Sequence, residues 1–151
     1  MLSQLIRNQI QAYIEWDDEM LPLFDEDKPI FLEWFFENAN TYNVSNTMNQ
    51  GILDLDNIIS GRCYGNSQYI SENYNKTYAE GFILREGMYI PHGFNIGSTH
   101  VEDYTLYKTL RGRNLPDEYY GVIIPERYLS EENYDGVQSR SLMIEYWTDS
   151  R

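Results

Sequence analysis

Between Ser60 and Leu84 the spacing of apolar side chains changes period once, and that change constrains the fold more than any other stretch. Ser67, Ile70 and Tyr74 recur at three- and four-residue steps, the mark of one inward helical face. After Asn75-Lys76 the period becomes two: Tyr78, Glu80, Phe82 and Leu84 alternate with Ala79, Gly81 and Ile83, as a strand requires. A helix must therefore feed directly into a sheet. Glu86-Gly87 supplies a turn, residues 88–96 a second strand, Gly97-Ser98-Thr99 another turn and residues 100–107 a third strand, so the expected core is an antiparallel meander. Ser60 is expected to cap the helix, with Gly61, Arg62 and Cys63 in its first turn.

Upstream, Leu2, Leu5, Ile6, Gln9, Ile10 and Tyr13 form one helical stripe that ends at the acidic cluster Asp17-Asp18-Glu19. A second helix is predicted from Asp27, with Pro29 in its first turn, to about Asn40; its bulky residues lie nearly all round, which predicts burial. Residues 41–51 read as a polar loop. Downstream of Pro116 come a short apolar run over 119–124, a turn or short helix over 125–129, and a tail from Val137 to Trp147 whose periodicity leaves strand and helix both open. The fold class is α+β in one domain, 1–151, divided into a helical N-terminal part (1–59) and a helix-plus-antiparallel-sheet core (60–151).

Composition narrows the function classes. The chain carries 24 acidic and 11 basic side chains, a net charge of −13, which repels phosphate backbones and anionic membrane surfaces but leaves a basic protein surface as a partner. One cysteine excludes an internal disulfide framework, and two histidines with it are too few for an ordinary structural zinc site; no cofactor is expected. Met1 leads into Leu2-Ser3-Gln4 with neither a basic n-region nor a long apolar h-region, and no apolar run reaches the roughly 20 residues that span a bilayer, so the expected location is the cytoplasm.

Three residues suit a thiol nucleophile: Cys63 at a helix start, His92 in a strand, and Asp103 on the strand that follows. A cysteine attacks as its thiolate; a first-turn position supplies partial positive charge, a neighbouring imidazole acts as base and then acid, and a carboxylate fixes the imidazole's tautomer. Hairpin register makes this testable. If Gly97 pairs with His100 across Ser98-Thr99, Phe94 stands opposite Asp103 and His92 opposite Thr105, so His92 and Asp103 are diagonal neighbours on one face. With Ile96 opposite His100 instead, Asp103 turns to the other face and leaves the site.

The runs Gly61-Arg62-Cys63-Tyr64-Gly65-Asn66-Ser67, Tyr78-Ala79-Glu80-Gly81-Phe82, His92-Gly93-Phe94-Asn95-Ile96 and Val101-Glu102-Asp103-Tyr104-Thr105 resemble the papain-like and transglutaminase-like cysteine hydrolases, in particular small bacterial and phage members. The resemblance covers residues 60 to 107 and extends weakly to 119–125. It implies Cys63 as nucleophile, His92 as base and Asp103 as orienting acid. The aromatic after His92 is displaced by one glycine, and Phe94 stands where the family's Trp would. A papain-like site adds a side-chain oxyanion donor upstream of the cysteine, for which Gln50 is the only glutamine in the preceding polar loop; Asn66 is a second oxyanion candidate, with a structural role as its alternative. Asn95 points to the face opposite His92. Glu80, on the face of Tyr78 and Phe82, needs a hydrogen-bond partner if that face is core.

The expected function is an intracellular cysteine hydrolase or acyl-transfer enzyme acting on an amide or thioester bond of a protein or peptide. The alternative is a small acidic interaction protein, of the phage-encoded inhibitor kind, that covers a basic surface of a host protein with carboxylates and tyrosines.

Overall fold

The computed structural model describes residues 1–16, 21–129 and 140–151; the acidic cluster at 17–19 and Val137 lie outside them. Among the described residues six α-helices pack with one five-stranded antiparallel sheet, an α+β architecture. The helices are α1 (Gln4–Trp16), α2 (Lys28–Asn38), α3 (Gln50–Leu53), α4 (Cys63–Tyr74), α5 (Tyr104–Leu110) and α6 (Met143–Asp149). The strands are β1 (Asn40–Asn43), β2 (Thr77–Arg85), β3 (Met88–Ile96), β4 (Val101–Glu102) and β5 (Glu118–Ile123), in spatial order β1-β5-β2-β3-β4.

The period change falls where expected. Asn75, in the left-handed conformation, ends α4 and Thr77 opens β2, while Glu86 and Gly87, both at positive φ, turn β2 into β3. Strict alternation then sorts side chains to two faces. Tyr78, Phe82, Tyr89, Tyr120 and Val122 pack with α1, α2 and α6 through Ile10, Phe31, Phe35, Leu142 and Trp147. Ala79, Ile83, Phe94, Ile96 and Tyr119 pack on the other face with Val101 and Leu106 of α5. Of the tail left open by periodicity, residues 143–147 are helical, and α6 buries Met143 and Trp147 in the first of these cores.

Three expectations need correction. Residues 41–51 are not a plain loop. Asn40–Asn43 add β1 to the sheet edge, where backbone pairing with β5 brings Thr41 opposite Tyr120, so the stretch 1–59 is not purely helical. Residues 100–107 are not one strand. Only Val101–Glu102 pair with β3, after which Asp103 caps α5, its Oδ1 accepting from the Leu106 N–H at 3.0 Å. Ser60 does not cap α4. Its hydroxyl meets Thr109 Oγ1 at 2.8 Å, Gly61 turns the chain at φ +85°, and the helix begins at Cys63 with no side-chain cap.

Across β5, β2 and β3, Gly121, Gly81 and His92 stand in one row. A Cβ on Gly81 would lie 1.8 Å from the Tyr120 carbonyl oxygen, and one on Gly121 2.9 Å from the Phe94 ring, so both positions need glycine for the strands and that ring to approach. Among the described residues no helix is long and apolar enough to cross a membrane.

Candidate active site

Each of the three chemically competent residues reaches the site by a different local device. Cys63 opens α4, half-buried, because Asn66 one turn later clamps the preceding segment: its amide donates to Ile59 O at 2.7 Å and accepts from Ile59 N at 3.2 Å. His92 stands mid-strand on the face of Phe94 and Tyr119, its ring 6.4 and 6.2 Å from theirs. Asp103 leaves the sheet just after Glu102 and is held by its own capping bond. The register is the one that keeps it on the His92 face: Ile96 pairs with Val101, Asn95 with Glu102, and Gly97 N–H donates to His100 O at 2.9 Å.

His92 Nε2 lies 2.7 Å from Asp103 Oδ2. Cys63 also acts on the imidazole, through a side-chain hydrogen bond and through its charge. Both His92 and Asp103 are nearly inaccessible to solvent. Burial alone pushes the imidazole toward neutrality; the Asp103 charge and hydrogen bond, joined by Cys63, outweigh it and raise the pKa from 6.5 to about 10. Burial likewise opposes the Asp103 charge, but His92, the Leu106 N–H and the Tyr119 hydroxyl together hold its carboxyl below the ordinary 3.8. The pair is a buried imidazolium and carboxylate, with the sulfur beside the cation.

Tyr119 is the participant to which the sequence assigns no role at the site. Its hydroxyl donates to Asp103 Oδ2 at 2.7 Å, the same oxygen that meets His92, and burial followed by the Asp103 charge raises its pKa, so it stays a donor. Only its place on β5, across β2 from β3, brings it there. Tyr119→Phe keeps the ring and removes one hydrogen bond to a charged acceptor. Its unfolding free energy in urea is expected to fall by about 1.5–3 kcal/mol.

The two oxyanion candidates are committed elsewhere. Asn66 is fully buried, with its oxygen on Ile59 N and its nitrogen shared between Ile59 O and Thr105 Oγ1, the latter at 2.9 Å, which assigns it the structural role. Gln50 is exposed on α3 and donates to Asp54 Oδ1 at 2.8 Å. The donor left at the site is the Cys63 backbone N–H, one of the first-turn amides that have no carbonyl partner within a helix. Among the described residues no three His, Cys, Asp or Glu side chains are grouped to hold a metal ion. Compared with protein-family models, curated proteins and solved structures, the chain matches none.

Proposed function

We propose that this chain is a cysteine hydrolase or acyl-transfer enzyme, built on a papain-like or transglutaminase-like plan, that cleaves an amide or thioester bond of a protein or peptide. The single observation that carries the reading is the His92 ring held at 2.7 Å by Asp103 on one nitrogen while it engages the Cys63 side chain. In the proposed reaction the pair enters as thiolate and imidazolium, the thiol proton already resting on His92, and the sulfur attacks the carbonyl carbon. A C–S bond forms as the carbonyl electron pair moves onto oxygen, where the Cys63 N–H is the available donor. When the carbonyl re-forms, the bond to the leaving group breaks and that group takes the proton from His92. Water, or an acceptor amine or thiol, then gives its proton to His92, attacks the thioester and releases the sulfur. Asp103 keeps the ring oriented and stays ionised throughout. A net charge of −13 favours a basic protein or peptide as substrate or partner.

The test is alkylation. Under pseudo-first-order iodoacetamide at pH 7, with native protein and mass-spectrometric readout, Cys63 is expected to react about tenfold or more faster than a free thiol. A rate equal to or below that of glutathione would overturn the reading.

A further inference from the structure

A second polar network lies on the opposite face of the sheet from His92 and Asp103, and it converges on the residue that follows the nucleophile. Glu80, fully buried in β2, accepts from Tyr78 Oη at 2.6 Å, Leu142 N at 2.7 Å, Met143 N at 3.3 Å and the Ser141 hydroxyl. Gln68 of α4 adds a bond from Nε2 to Arg140 O at 2.8 Å. A carboxylate in the middle of a sheet thus pins one short piece of chain, Arg140–Met143, that leads into the first residue of α6. Ser141 in turn hydrogen-bonds with Tyr64, whose hydroxyl also lies within the electrostatic reach of Glu80 and Cys63.

Tyr64 is placed to transmit that restraint. It is bonded in the chain to Cys63, and its ring lies against Gly93, the neighbour of His92: a Cβ there would meet Tyr64 Cδ1 at 2.8 Å and Tyr64 Cα at 3.3 Å. Ser67 Oγ donates to Gly93 O at 3.3 Å and Asn95 Nδ2 to Ser67 O at 2.9 Å, which ties the rest of α4 to the same strand. The Tyr64 ring therefore sets the separation of the tip of α4 from β3, the two elements that carry Cys63 and His92.

We propose that Glu80 and Ser141, by fixing Tyr64 against Gly93, make the segment Arg140–Met143 a positioning element for the Cys63–His92 pair. This rests on the cysteine-enzyme reading for its purpose, though not for its geometry. The hydroxyl of Ser141 is the point at which the segment grips Tyr64, and removing it leaves the Glu80 bonds to Leu142 and Met143 in place.

The experiment compares native full-length wild type, Ser141→Ala and Ser141→Thr by iodoacetamide alkylation of Cys63 from pH 5 to 10. Displacing a nucleophile from its partner by a fraction of an ångström is worth about tenfold, so Ser141→Ala is expected to lose about tenfold at pH 7. Ser141→Thr, which restores the hydroxyl, should recover the rate to within about twofold. A Ser141→Ala protein with the wild-type rate and profile, whatever its melting temperature, overturns the proposal. Should wild-type Cys63 itself react as a free thiol, amide exchange at Tyr64–Asn66 decides instead: exchange about tenfold faster in Ser141→Ala sustains the network, and unchanged exchange refutes it.

Discussion

Replacing His92 with alanine is expected to slow iodoacetamide alkylation of Cys63 at pH 7 by about ten- to thirtyfold. The size follows from a simple limit: a free thiol of pKa about 8.5 is only about 3% ionised at pH 7, so the whole gain available from ionisation is about thirtyfold. Protonated His92 is the cation beside the sulfur, and with its pKa raised to about 10 it keeps that charge throughout the physiological range. The advantage of wild type over His92→Ala should accordingly be largest near neutral pH and close near pH 10, where the imidazole loses its proton. Parallel profiles, or a variant as fast as wild type at pH 7, would show that the imidazole does not activate the thiol.

Asp103→Ala is expected to cost about 3–5 kcal/mol of unfolding free energy in urea, the range for removing one partner of a buried ion pair. Three groups lose their acceptor at once: His92 Nε2, the Tyr119 hydroxyl and the Leu106 N–H at the start of α5. The same substitution should flatten the pH dependence. Because the folded pKa of His92 lies above its unfolded value of 6.5, its contribution is complete below pH 6.5 and disappears as pH rises through about 10. Asp103 has the opposite sign: its folded pKa is depressed, so its contribution is complete above the unfolded value of 3.8 and is lost as pH falls through the folded one. Wild-type stability owed to this pair therefore peaks between about pH 4 and 6.5 and declines on both sides. In Asp103→Ala the alkaline decline should vanish; a decline of wild-type steepness would place its origin elsewhere.

What the amino-acid order discloses here is local. The α4-to-β2 junction is legible because helix and strand periods differ, and the His92–Asp103 juxtaposition is legible because a two-residue hairpin admits one register that keeps both on one face. Residues 104–110 mislead for a local reason as well. Tyr104, Thr105, Tyr107 and Thr109 all favour strands, yet Asp103 caps the first turn and Leu106 buries into the core, and together these outweigh propensity. β1 escapes notice since Asn40-Thr41-Tyr42-Asn43 has no apolar alternation; its place comes from backbone pairing with residues about eighty positions away. Tyr119 and Ser141 are hidden because their partners are non-local, Asp103 16 positions from the one and Glu80 61 from the other, so each is brought into place only by tertiary structure.

The strand order has a kinetic corollary. Among the described residues β5 is the last strand to leave the ribosome, yet it sits between the first and second, so the pairing of β1 and the tyrosine on Asp103 both wait until residues 118–123 have been synthesised. A nascent chain can form the β2–β3 hairpin early and still carry an unassembled thiol centre. Chemical competence would then wait on β5, which is synthesised well after the nucleophile itself.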